Sequence, residues 1–95
     1  LEIPNKLNHQ ITAEHIMSIK PFFVRAEWDE DAGVWVATSD DVPGLATEET
    51  TMEALIEKLK IVVPELLQAN GLELGEEVPF EILTRRFEVA QSSGI

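Results

Sequence analysis

An α+β domain of order β-β-β-α-β is predicted for this chain, and three observations carry that prediction. Apolar and polar residues alternate through 22–28, 34–39 and 78–87, turn-forming residues separate these runs, and an apolar stripe at helical spacing follows Thr50. The expected architecture is an antiparallel three-stranded meander, one long helix packed on one sheet face, and a last strand parallel to the first.

In the first strand Phe22, Val24, Ala26 and Trp28 point one way and Phe23, Arg25 and Glu27 the other, which gives one buried face. Asp29, Glu30 and Asp31 then lead to Ala32-Gly33, where glycine accepts the positive φ that a hairpin turn of this length needs. A second strand over 34–39 runs back, with Trp35 and Ala37 on one side. At Val42-Pro43-Gly44-Leu45 proline presets the first central position and glycine takes the second, as a type II turn requires. The short third strand expected over 45–48 is acidic, an edge that resists further pairing.

Thr50 and Glu53 have the spacing of a capping box, in which the hydroxyl takes the amide three residues on and the carboxylate reaches back. The helix so opened carries Met52, Leu55, Ile56, Leu59, Val62, Val63, Leu66 and Leu67 at intervals of three and four, one stripe along about five turns. Pro64 lies within that stripe, removes an amide donor and crowds the carbonyl of Lys60, so a kink or restart is expected near Val63. Asn70-Gly71 supplies a left-handed stop. Pro79 at the start of the last strand marks an amide that no neighbour needs. A right-handed crossover through the helix sets this strand beside the first and parallel to it.

With 95 residues, 44% of them hydrophobic, the chain builds one core, because chains this short bury only about 60 to 65% of their unfolded surface. The domain is expected over residues 19–90, preceded by an extension over 1–18 that is non-native or flexible, and followed by a frayed tail over 91–95. The extension lacks the basic-then-apolar pattern of a secretion signal, and no apolar run has the length needed to span a bilayer. Cysteine is absent, which removes disulfides and thiolate metal sites and is compatible with a reducing, cytoplasmic compartment. Eighteen acidic residues against 7 basic ones give a net charge of −11, which disfavours direct binding of nucleic acid and favours encounter with a basic protein. The same acidity also serves plain solubility.

Taken in order, Val24 to Trp28, the acidic turn with Gly33, the second strand ending in Asp40-Asp41-Val42-Pro43-Gly44, Thr47 and the Thr50-x-x-Glu53-Ala54-Leu55 helix start resemble the HicB-like antitoxin family, whose fold is a partial ribonuclease-H-like β-β-β-α-β unit. The resemblance covers about residues 20–67. The Val62-Val63-Pro64-Glu65-Leu66-Leu67 and Asn70-Gly71 segments look like those of a small relative of that family whose function is not established. The likeness implies a non-enzymatic antitoxin of a type II toxin-antitoxin pair, and a partner of HicA type: a small basic RNA-cleaving toxin whose active surface the antitoxin masks. Many such antitoxins carry a C-terminal operator-binding domain; eight residues follow Phe87 here, so DNA binding by this chain alone is not expected. A homodimer through a sheet edge or the helix is expected. The alternative is a stand-alone, self-associating structural or regulatory module without a toxin partner.

The partner-binding candidates are Asp29, Glu30, Asp31, Asp40, Asp41, Glu48 and Glu49, which also read simply as solvated loops. Pro43, Gly44, Thr50, Glu53, Pro64 and Gly71 are motif residues that shape the fold. No catalytic, cofactor or metal site is expected. A working ribonuclease H needs carboxylates on its first strand, helix and last strand to hold two metal ions, whereas the centre of the first strand here is Val24-Arg25-Ala26, and a salt pair between Arg25 and Glu27 is the simpler use of that face. His9 and His15 lack ligand spacing, and Ser39 has no histidine base within the domain. Arg85-Arg86 is the adjacent basic pair, read as a solvated strand end, and Trp28 and Trp35 are placed to cover each other across the hairpin.

Overall fold

The computed structural model describes residues 20–92, so the expected extension over 1–18 and the last three positions of the tail lie outside the described residues. The chain forms β1 (Phe22–Asp29), β2 (Val34–Thr38), β3 (Ala46–Glu49), α1 (Met52–Ala69) and β4 (Phe80–Arg85). One four-stranded sheet has the order β3-β2-β1-β4. β1 and β2 are antiparallel, as are β2 and β3, while β4 returns parallel to β1 with Phe22 opposite Phe80 and Glu27 opposite Arg85. The α+β class, the meander and the parallel last strand are therefore those that the sequence predicts.

Strand alternation sends Val24, Ala26 and Ala37 to the face that α1 covers, where they meet Leu55, Leu59, Val63 and Leu67 in one fully buried cluster. Those four helix residues are spaced by four, which puts them in a single row along the helix. Alanine at the paired positions 26 and 37 leaves room for the leucines above. Trp28 and Trp35 pair across the hairpin with ring centroids 5.3 Å apart in an edge-on arrangement.

The turns are built as their residues demand. Gly33 (φ 69°) donates to the Asp29 carbonyl at 2.8 Å, and the Asp29 carboxylate accepts the amides of Asp31 and Ala32 at 3.1 Å. Gly44 (φ 88°) completes the type II turn, closed by the Leu45 amide on the Val42 carbonyl at 3.1 Å. β3 occupies 46–49 instead of the expected 45–48, and the helix start moves with it. The N-cap is Thr51, not Thr50, and its hydroxyl accepts the Ala54 amide at 3.1 Å. The expected Thr50–Glu53 capping box is thus not formed. Because Glu49 pairs with Trp35, Thr50 is the residue that leaves the strand, and capping falls to the next threonine. Glu53 instead lies in the first turn, where a carboxylate suits the positive end of the helix dipole.

Of the kink or restart expected near Val63, the restart does not occur: α1 runs through Pro64 as one helix from Met52 to Ala69. Lys60, whose carbonyl loses its amide donor to the proline, is an exposed residue. At the other end Gly71 (φ 88°) donates to the Gln68 carbonyl at 2.9 Å and Leu72 to the Leu67 carbonyl at 3.1 Å, a Schellman stop. The Asn70 side chain bonds the Leu66 carbonyl at 2.8 Å and reaches the Pro43 carbonyl at 3.4 Å, which ties the helix end to the proline-glycine turn.

Candidate partner-binding surfaces

Seven acidic side chains stand out in the sequence, and the fold divides them between the two ends of the sheet. Asp29, Glu30 and Asp31 form the hairpin tip, and because Glu49 lies opposite Trp35, which lies opposite Trp28, the edge strand adds Glu48 and Glu49 to the same end. Asp40 and Asp41 sit at the other end, beside Phe23 and Arg25. Several of these carboxylates already have work within the chain. Asp29 holds the tip, Glu30 accepts the Trp28 indole N–H at 3.1 Å, Asp40 lies 3.8 Å from Arg25, and Glu49 pairs with Lys58 at 3.1 Å. Lys58 also donates to the Glu48 carbonyl at 3.2 Å. Arg25 thus takes Asp40 as its ion-pair partner and not Glu27, because the chain turns Asp40 back over the strand face.

Asp41 has a further role that sequence order hides. Its carboxylate accepts the Phe23 amide at 2.8 Å, while the Ser39 hydroxyl donates to the Phe23 carbonyl and accepts the amides of Asp41 and Val42 at 2.9 and 3.0 Å. Beyond the last β1–β2 pair, Arg25 with Thr38, two side chains so replace the backbone ladder. The Ser39 hydroxyl thus joins the β1 backbone to the turn that follows β2. Beside it lies a depression of about 200 Å³ lined by Phe23, Arg25, Ser39, Asp40, Asp41 and Leu83, whose polar groups are those already bonded to one another. A second, of about 320 Å³, lies between α1 and the approach to β4, lined by Lys60, Pro64, Gln68, Leu74, Val78 and Phe80.

Among the described residues no helix or strand covers the sheet face opposite α1. Phe23 and Leu83 are 46% and 56% exposed there and lie diagonal to each other across the β1–β4 pair, where Phe23 stands opposite Glu81 and Arg25 opposite Leu83. Arg25, Glu27, Glu81 and Arg85 surround them by strand parity. Glu27 belongs to this face and Glu53 to the helix over the other, so the two carboxylates do not converge. Among the described residues no group of three or more histidine, cysteine or acidic side chains is placed to hold a metal ion. His9 and His15 lie outside the described residues.

Arg86, read from sequence as half of a solvated basic pair, turns out of the strand and over the tryptophans. Its guanidinium carbon is 4.5 Å from the Trp28 ring centroid and 5.9 Å from that of Trp35, and its Nε pairs with Glu88 at 2.6 Å. β4 spans Phe80–Arg85, two residues shorter at each end than the strand expected over 78–87, and Arg86, just past its end, makes a cation–π contact with the tryptophans. Among the described residues no helix is long and apolar enough to cross a membrane.

No curated protein matches this chain. Among solved structures it is similar to a hypothetical protein of the extremely thermophilic bacterium Thermus thermophilus, at 49% identity and a TM-score of 0.59, over 77% of this chain and all of that one. Residues 21–92, which take in all four strands and the helix, match one family along their length, and the chain belongs to that family, described as a domain of unknown function, DUF1902.

Proposed function

We propose that this chain is a non-enzymatic, cytoplasmic protein-binding module of the HicB-like antitoxin kind, which neutralises a small basic RNA-cleaving toxin by covering its surface. The observation that carries this reading is the acidic end of the sheet, where Asp31 and Glu48 stand with Asp29, Glu30 and Glu49 around the hairpin tip and the edge strand β3. A net charge of −11 extends that field over the whole molecule and raises the rate of encounter with a cationic partner. The β-β-β-α-β order agrees with the HicB-like resemblance. The second reading, a stand-alone self-associating module, is favoured by the exposed Phe23 and Leu83 side chains, which are apolar and suit a surface other than a basic one.

Co-expression with a small basic protein encoded next to this chain tests the proposal. The pair is expected to co-purify and growth arrest by the basic protein to be relieved. The double substitution Asp31→Lys and Glu48→Lys is expected to weaken the complex about tenfold or more by replacing attraction with repulsion. A chain that neither binds nor protects against such a neighbour removes the antitoxin reading and leaves the second one.

A further inference from the structure

The sheet ends in two edges of opposite character. β3 carries adjacent Glu48 and Glu49, so an antiparallel copy of β3 brings carboxylates against carboxylates. β4 carries Glu81 and Arg85 symmetrically about Leu83, which makes the strand complementary to its own reverse. We propose that two copies of this chain associate through β4, antiparallel about a two-fold axis at Leu83, and so join their two four-stranded sheets into one.

The backbone allows this register. The Phe22 amide donates to the Pro79 carbonyl at 3.1 Å, so Pro79 and its alternates Glu81, Leu83 and Arg85 direct their backbone groups at β1. Those of Phe80, Ile82 and Thr84 therefore point to the open edge. In the antiparallel pair Ile82 meets Thr84 of the second copy in hydrogen-bonded positions, and Leu83 meets its own copy in a non-hydrogen-bonded position, where opposed side chains come closest. Glu81 then faces Arg85 of the second copy, twice by symmetry. Sliding to the next allowed register in either direction sets Glu81 or Arg85 against Leu83 and loses both charge pairs.

Neither Glu81 nor Arg85 has an ion-pair partner within 4.0 Å among the described residues, although Glu27 lies opposite Arg85 across the β1–β4 pair. In the dimer Arg85 sits between Glu27 of its own chain and Glu81 of the second copy. Leu83, 56% exposed in the single chain, becomes the apolar centre of the joint, with Phe23 beside it. Pro79 at one end and the departure of Arg86 towards Trp28 at the other confine the pairing to this strand. The inference does not depend on the antitoxin reading, since it concerns this chain alone.

Sedimentation equilibrium on the wild-type chain and on charge-swapped variants tests it, with circular dichroism as the check on folding. The wild type is expected to dimerise, and Glu81→Arg or Arg85→Glu alone to raise the dissociation constant about tenfold or more by opposing like charges. The double variant is expected to return to the wild-type value. An equimolar mixture of the two single variants is expected to form a heterodimer, because each substituted position then faces its opposite charge in the other chain. Amide exchange in the wild type gives a second measure, with Ile82 and Thr84 protected in proportion to dimer. A monomeric wild type, single variants that dimerise unchanged, a mixture that stays apart, or freely exchanging Ile82 and Thr84 amides each overturns the proposal.

Discussion

At the scale of single residues, small polar side chains decide where this chain turns. Thr50 and Thr51 are chemically identical and adjacent, yet only Thr51 accepts the Ala54 amide and takes the extended cap backbone, φ −128° and ψ 156°. Thr51→Ala is therefore expected to lower stability by about 1 kcal/mol and Thr50→Ala by only a few tenths, measured by urea denaturation. Ser39 is bound more deeply into the fold, since one hydroxyl serves the Phe23 carbonyl and the amides of Asp41 and Val42. Removing it leaves three backbone groups without that partner. Water can replace the hydroxyl at the exposed Phe23 and Asp41 groups but less readily at Val42, which is buried. Ser39→Ala is thus expected to cost about 1 to 2 kcal/mol, and Ser39→Thr, which keeps the hydroxyl, to recover part of it.

At the scale of elements, the helix shows how far a pattern reads and where it stops. The periodic stripe from Met52 to Leu67 predicts the buried face, and Leu55, Leu59, Val63 and Leu67 are its fully buried members, while Ile61 lies off the stripe and is 61% exposed. Leu59→Ala is expected to cost about 2 to 5 kcal/mol through lost burial and the cavity left behind. Ile61→Ala on the same helix should stay within about 0.5 kcal/mol, and parallel denaturation curves of the two variants read the difference. Alternation in β1 and β2, the proline-glycine turn and the Asn70-Gly71 stop were legible for the same reason: each is set by residues close in sequence. The one-residue displacement of β3 and the helix cap was not legible, because either threonine satisfies the local rule and only the pairing of Glu49 with Trp35 selects between them. Nor were the Asp41–Phe23 and Ser39–Phe23 bonds or the Arg86 contact with Trp28, which join positions that only the folded sheet brings together. The acidic candidates were visible as charges, but their internal duties depend on the same long-range placement.

At the scale of the whole molecule, charge is the dominant unbalanced quantity. Eighteen acidic groups face 7 basic ones, and the ion pairs Arg25–Asp40, Lys58–Glu49, Lys60–Glu57 and Arg86–Glu88 all have side chains about one-third exposed or more. Exposed pairs of that kind contribute about 0 to 1 kcal/mol each and weaken as salt is added. The repulsion among the remaining carboxylates has the opposite salt dependence, because screening relieves it as the Debye length falls from about 10 Å at 0.1 M to about 3 Å at 1 M. Net repulsion of this sign destabilises the compact state relative to the expanded chain, in which like charges stand further apart. With an excess of eleven negative charges over the chain, against four weak pairs among the described residues, sodium chloride is expected to stabilise the fold. A gain of about 1 kcal/mol corresponds to a rise of about 4 to 8 °C in Tm for a domain of this size. Thermal melts followed by circular dichroism between 0.1 M and 1 M salt, at a protein concentration where the oligomeric state is constant, measure it. A Tm that falls with salt would show that the ion pairs, and not the excess of negative charge, govern the stability of this sheet and helix.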